Sequence, residues 1–258
     1  MTKAINIIWF EQDLRLADNP ALTAAMQQGR VLPIYILDHK NASQHHIGAA
    51  SRWWLHHSLQ ALNGALAGKL SLYTGEAGTV INELCQRFKV VGVYWNRRYE
   101  PWRIDRDKRI KQQLSSQGIM AKSYNGSLLH EPWTIRNQQG NPYKVFTPYH
   151  RQASLLDTHP TPLPAPRLSP TLEVDTQAIQ LQDLMLLPKV AWDSQFYHCW
   201  TPGEEGAMTA LDKFLSDGLS HYQHGRDRPA LNALSRLSPH LQLGELSPRQ
   251  IMQALLGV

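Results

Sequence analysis

Apolar residues in the first half of the chain alternate between short solid runs and helical repeats. Ile5–Phe10 is a short apolar run, and Asp18-Asn19-Pro20 opens a helix that continues through Met26. Val31–Leu37 is a second run, and Ser51 to Leu66 carries Trp54, Leu55, Leu59 and Leu62 on one helical face. The alternation continues with a strand at Leu70–Tyr73, a helix at Val80 to Phe88 and a strand at Val90–Trp95. A charged helix at Pro101 to Leu114 and a fifth strand at Ile119–Tyr124 complete it. Five such units predict an α/β fold, a five-stranded parallel Rossmann-like sheet with helices on both faces. Ligands in such sheets sit at the carboxyl ends of the strands. The candidate loops are therefore Phe10–Arg15, Leu37–Lys40, Thr74–Gly78 and Asn96–Pro101. No GxGxxG follows the first strand, so a nicotinamide-binding reading loses its main support.

The pattern changes after residue 130. His159 to Pro170 contains five prolines and reads as an extended, polyproline-like connector. From Gly203 the helical period returns: Ala207, Leu211, Phe214 and Leu215 repeat, and Gly218 suits a C-terminal stop. The expected organisation is an α/β domain over 1–130, a long linker over 131–202, and the beginning of an all-α domain over 203–258. Leu211/Phe214/Leu215 and Leu237/Leu241 are expected as apolar faces left open in so short a helical region.

Two strings near the end stand out, Ser235-Arg236-Leu237-Ser238-Pro239-His240 and Gly244-Glu245-Leu246-Ser247-Pro248-Arg249. Each Ser-Pro step reads as a helix start: serine caps the free N–H groups, and proline lacks an N–H that is not needed there. Gln250, three residues after Ser247, completes a capping box. Hydroxyls and an arginine at two helix N-termini form an anion site suited to a phosphate or pyrophosphate.

Composition narrows the classes. The chain has 258 residues, 42% apolar and 18% charged, with a formal charge of +5. That balance permits a polyanionic partner without demanding one. Cys85 and Cys199 are the only cysteines, and nothing reads as a signal peptide, which points to a reducing cytoplasm. No apolar stretch approaches the ~18 residues of a membrane span.

Several clusters invite chemistry and mostly decline it. The pairs His45-His46 and His56-His57 lack an acidic or thiol partner at ligand spacing, so no metal site is expected. The tryptophans at 9, 53, 54, 95, 102, 133, 192 and 200 read mainly as core. Arg97, Arg98, Arg103, Arg106, Lys108, Arg109 and Lys111 alternate with Glu100, Asp105 and Asp107, which reads as a salt-bridged solvent face. The segment from Tyr222 through Arg226-Asp227 to Pro229 is more pointed: an aromatic, a cation and an acid stand just ahead of the serines. Such a set could hold a ring system and its phosphates together.

These strings resemble a known family. Trp9-Phe10-Glu-Gln-Asp13-Leu14-Arg15-Leu16-Ala-Asp18-Asn19-Pro20-Ala21-Leu22 is similar to the opening signature of the DNA photolyase/cryptochrome family. Tyr99-Glu100-Pro101, Lys144 to Tyr149, Gly203-Glu204, Tyr222 with Arg226-Asp227, and the segment from Ser235 to Gln250 follow in the family's order. The chain looks closest to bacterial class I cyclobutane-dimer photolyases.

The resemblance implies an α/β antenna domain, a linker and a helical domain holding FAD. It implies light-driven splitting of cyclobutane pyrimidine dimers in DNA by a protein that is monomeric at full length. Tyr222, Ser235, Arg236, Leu237 and Ser238 match the first part of the family's FAD-binding set. Arg226 matches a position by the lesion-side groove, a DNA-phosphate contact that would add affinity without sequence specificity. No catalytic residue is expected within this chain. The family's tryptophan electron chain and its dimer-holding glutamate and aromatics lie beyond Val258, so this portion alone is expected to repair nothing. Leu234 stands where the family often has threonine, and Glu11 replaces a usual arginine. Trp102-Arg103 replaces an Asn-Glu pair that resembles a folate contact, which favours a deazaflavin antenna, or none, over folate. A cryptochrome-type photoreceptor and an isolated antenna-type domain are the alternative readings.

Overall fold

Strict alternation along the apolar runs decides the two faces of the sheet. The computed structural model describes residues 4–38, 47–156, 161–168, 171–228 and 230–257. Strands β1 (Ile5–Phe10), β2 (Val31–Leu37), β3 (Ser71–Thr74), β4 (Val90–Asn96) and β5 (Met120–Tyr124) pair in parallel in the order β3-β2-β1-β4-β5. Ile8, Phe10, Tyr35, Leu37 and Tyr94 turn to one face. Ile7, Trp9, Ile34, Ile36, Val93 and Trp95 turn to the other. This is the period of two expected of a strand buried on both sides.

Helices α1 (Pro20–Gln27) and α2 (Ala49–Ala65) cover the first face through Leu22, Trp53, Trp54, Leu59 and Leu62. Helices α3 (Ala77–Arg87) and α4 (Pro101–Ser116) cover the second through Ile81, Leu84, Ile110 and Leu114. Each buried side chain of this size contributes about 1.5–3 kcal/mol. Asn19 caps α1 by accepting from Leu22 N at 3.0 Å. Strand order reverses between β3 and β4, so the β1/β4 boundary is the topological switch point.

The connector is tied down rather than free-running. Leu163 and Asp18 bond reciprocally, through Asp18 N to Leu163 O at 2.7 Å and Leu163 N to Asp18 Oδ1 at 3.1 Å. Val31 and Leu172, and Leu72 and Ile179, form single bridges to the sheet. Asp175 is buried and receives the Tyr73 hydroxyl at 2.6 Å and Arg87 at 2.7 Å. Within the connector, α5 (Phe146–Leu155) buries none of its residues. A short helix, α6 (Phe196–Cys199), leads to the helical part.

That part holds α7 (Glu204–Lys213), a π-turn at Phe214–Gly218 and a 3₁₀ turn at Leu219–His221. Then come α8 (Tyr222–Gly225), α9 (Ser238–Leu243) and α10 (Pro248–Leu256). Three expectations are corrected here. Gly218 does not stop a helix: it keeps a right-handed helical backbone, and its missing Cβ leaves room for the Phe214 ring, which a Cβ would approach to 2.7 Å. Ser238 is not a cap, because Leu237 already has helical dihedrals and the serine stands one position inside with an exposed side chain. Leu211 and Leu237 are not open; they pack with Ala207 and Leu246 into a small core of their own. Ser247 does cap α10, accepting from Gln250 N at 3.0 Å while Gln250 Oε1 accepts from Ser247 N at 2.8 Å.

The helical part is welded to the loop after β1. Leu14 N donates to Leu243 O at 3.0 Å, and Glu204 accepts from Leu16 N at 2.7 Å and Ala17 N at 2.9 Å. Arg15 is fully buried and reaches the carbonyls of Gly244, Asp18 and Gly126 at 2.8, 2.8 and 2.6 Å. Burial holds this guanidinium below its ordinary pKa. Gly244 ends α9 at φ +64°, and a Cβ there would lie 2.1 Å from Gln12 O. Only glycine serves both the left-handed turn and the close approach.

Candidate functional site

Two cavities flank the helix α9 that takes part in this weld, one lined by Leu243 and the other by His240. The first, about 450 Å³, opens at the carboxyl ends of β1, β2 and β3. Glu11 and Gln12, Leu37 and Asp38, and Thr74 line it from the strand-end loops, with Trp102, Arg103 and Arg106 from the start of α4. Three of the four expected loops thus converge on one space; residues 39–46, including the His45-His46 pair, lie outside the described residues.

Its polar wall is a buried ion network that corrects the reading of α4 as a solvent face. Glu11 pairs with Arg103 and, at 2.6 Å, with Arg106. Arg106 also reaches Asp107 at 2.8 Å, and Asp107 accepts from Trp95 Nε1 at 2.7 Å. Burial works to lower the Arg106 pKa, but Glu11 and Asp107 outweigh it and hold it above its ordinary value. Burial, then the Glu11 charge, push Asp107 up. The charged helix turns these arginines inward because Glu11 offers a carboxylate there. Lys108 and Asp105 stay on the solvent side. Gln12 Oε1, buried in this wall, has no hydrogen-bond partner among the described residues, and Arg103 Nε faces Glu100 at 3.7 Å.

The second cavity, about 470 Å³, lies in the helical part. Trp200, Thr201, Glu205, Thr209, Lys213 and Phe214 form one side; Leu234, Ser235, Arg236 and His240 form the other. Of the expected cofactor residues, Ser235 and Arg236 line it. Leu237 is buried beneath it in the small core. Ser238 is exposed and outside it. Tyr222 stacks edge-on against Phe214 at 5.8 Å and does not line the cavity either. Arg226 is exposed beside Tyr222, 5.7 Å from its ring, with Asp227 at 3.7 Å. Arg236 has φ +55°, an unusual conformation for a side-chain-bearing residue, and its guanidinium stacks 4.1 Å from the Trp200 ring centre. Ser247 and Arg249 do not join an anion site: the serine is buried in its cap, and Arg249 pairs with Asp18 at 2.9 Å.

A carboxylate that the sequence did not single out for chemistry anchors the cavity wall. Glu245 is fully buried and accepts from Gly203 N at 2.8 Å, Trp54 Nε1 at 3.0 Å and Ser58 Oγ. His240 Nδ1 lies 2.5 Å from its other oxygen. Its place between the end of α9 and the capping Ser247 is plain in the sequence, but two of its partners, Trp54 and Ser58, come from α2, more than 180 residues earlier. His56 and His57 are half-buried, with His57 4.5 Å from the Trp53 ring. Among the described residues, no group of three or more His, Cys, Asp or Glu could hold a metal ion.

Residues 6–167 match the DNA photolyase family profile. The chain belongs to the DNA photolyase family. It is 41% identical over 257 residues to the deoxyribodipyrimidine photo-lyase of Agrobacterium fabrum, covering 98% of this chain and 53% of that protein. It is 34% identical to cryptochrome-2 of Arabidopsis thaliana, over 96% of this chain and 42% of the relative. The crystal structure of a bacterial class III photolyase from Agrobacterium tumefaciens superposes with a TM-score of 0.90 and 39% identity, covering 100% of this chain and 54% of that one. This photolyase-family chain thus spans about half the length of the curated relatives it matches. No helix among the described residues is long and apolar enough to cross a membrane.

Proposed function

We propose that this chain supplies the N-terminal half of a deoxyribodipyrimidine photolyase, a monomeric, FAD-dependent lyase that uses light to split cyclobutane pyrimidine dimers in DNA. The observation that carries the reading is the helical cavity, with Ser235 and Arg236 on its wall in a member of this family. Its chemistry fits part of a flavin dinucleotide. Arg236 and Lys213 offer cations for phosphate, Ser235, Thr201 and Thr209 offer hydroxyls, and Trp200 and Phe214 offer ring faces. When bound, a reduced and light-excited flavin supplies the electron that opens the dimer. The chain's own part is to hold and orient: Glu245 fixes His240 on the cavity wall and Trp54 behind it, and Arg226 stands exposed for DNA phosphate.

The subclass suggested by the more similar solved structure is class III, in place of class I. The strand-end cavity is proposed as the antenna site. Trp102 and Arg103, which stand in place of the Asn-Glu pair of a folate contact, line this cavity and support a deazaflavin or an empty site.

The test measures retention of an oligonucleotide containing a thymine dimer against its undamaged counterpart by the FAD-loaded chain extended to the full length of its photolyase relatives. Preferential retention of the damaged strand supports the repair reading. Equal retention with flavin bound favours the photoreceptor reading that the cryptochrome relative keeps open. Loss of flavin binding overturns both. Blue light is expected to leave dimers intact with the 258-residue chain alone, as read by chromatography of the oligonucleotide.

A further inference from the structure

The arginine on the wall of the helical cavity is held by a ring and not by a carboxylate. Arg236 stands at φ +55°, a left-handed conformation that a side-chain-bearing residue adopts only under strain. Contacts around it must outweigh that strain. Leu237 N closes the local turn by donating to Ser235 Oγ at 3.4 Å. Among the described residues the Arg236 guanidinium has no ion pair or hydrogen bond; its contact is the Trp200 ring, 4.1 Å from the ring centre.

That choice of partner matters for a ligand. A guanidinium over an indole face is attracted by the ring quadrupole, and the contact uses none of its N–H donors. The donors lie in the guanidinium plane, so stacking orients the fork and leaves it free for an anion. Pairing with Glu205 or Asp217, the acids that line the same cavity, would have consumed those donors. The ring is itself fixed. Trp200 is half-buried and meets Trp54 edge-on at 5.3 Å. Trp54 belongs to the larger core and donates its indole N–H to the buried Glu245 at 3.0 Å. The guanidinium is thus oriented, through two indoles, from α2.

We propose that Trp200 is a positioning residue, which holds the Arg236 guanidinium toward the cavity with its donors free for a pyrophosphate. This role rests on the flavin reading of that cavity. Without the ring, the exposed arginine side chain would sample other rotamers or turn to Glu205 or Asp217, and each binding event would first have to order it. Trp200 therefore acts on the ligand through Arg236.

The test titrates FAD into the 258-residue chain by fluorescence, with near-ultraviolet circular dichroism checking that each variant is folded. Trp200→Leu is expected to weaken FAD binding about threefold to tenfold, and Trp200→Phe, which keeps a ring face, by less than about twofold. In an Arg236→Ala background, Trp200→Leu is expected to change binding by less than about twofold, because the ring acts through the guanidinium. Equal losses in the two backgrounds, or no loss in the parent, overturn the positioning role and leave the flavin reading standing. Nuclear magnetic resonance of the chain with isotope-labelled arginine reads the stack without any Trp200 variant. The Arg236 side-chain methylene signals next to the guanidinium, identified by their absence in Arg236→Ala, should be shifted upfield by the indole and stay so when inorganic pyrophosphate is added. Unshifted signals overturn the role. Absence of FAD binding by the parent chain overturns the flavin reading and the positioning role with it.

Discussion

The two cavities differ in what stands behind them. The strand-end cavity rests on a sheet buried on both faces, and its charged wall is satisfied by ion pairs local to the α/β unit. The helical cavity rests on Ala207, Leu211, Leu237 and Leu246, and much of its outer wall, such as Leu234 and Arg236, is exposed. Its order is borrowed. Glu245, Glu204, Arg15 and Arg249 each tie the helical part to the α/β unit. A small core can therefore present a shaped cavity when polar clasps fasten it to a larger core.

Removing the strongest clasp should break the comparison most visibly. Glu245→Ala leaves Trp54, Ser58, Gly203 and His240 facing an empty position, and is expected to cost about 3–5 kcal/mol in urea unfolding followed by tryptophan fluorescence. A loss under about 1 kcal/mol would mean that the clasp is not what orders the cavity. Next, Leu59→Ala and Leu237→Ala should each cost about 2–5 kcal/mol at their own sites, but with different reach. Leu59→Ala should lower protection throughout the sheet in native-state hydrogen exchange, whereas Leu237→Ala should lower it only after residue 203. Equal reach would merge the two regions into one cooperative unit.

Smaller effects sharpen the picture. Burial works to raise the Asp175 pKa, but hydrogen bonds from Arg87 and Tyr73 hold the carboxyl below its ordinary value. The folded chain then binds this proton less readily than the unfolded one. Its contribution is full above the ordinary carboxylate range and is lost as pH falls through the lower folded value. Asp175→Asn is expected to cost about 1–2 kcal/mol at pH 7, with the difference from the parent shrinking in acid. A difference that grows in acid would contradict the sign. Ser247→Ala should cost about 1 kcal/mol, confined to α10, as read by amide exchange there.

The fold was legible because short-range patterning decided it: β1 and β2 begin and end at the predicted residues, and Asn19 caps α1 as its Asn-Pro context implied. The site was legible only in part. Ser235 and Arg236 stand on the cavity, but Tyr222 and Ser238 do not, since a motif lists neighbours along the chain and not which way each side chain faces. Glu245 and Glu11 stayed hidden for a different reason. Their partners, Trp54 and Arg106, are long-range, and no local period marks a carboxylate that folding will bury. The inward turn of Arg103 and Arg106 reversed the sequence reading because a buried carboxylate outweighs the usual preference of arginine for water.

The assignment of flavin to the helical cavity is tested most directly by FAD titration of the parent chain, Arg236→Ala and Arg103→Ala. The account predicts that Arg236→Ala weakens binding roughly tenfold to a hundredfold, the loss of one charge-assisted contact, while Arg103→Ala leaves it unchanged. Binding that falls with Arg103→Ala and is indifferent to Arg236→Ala would contradict it and place the flavin at the strand ends.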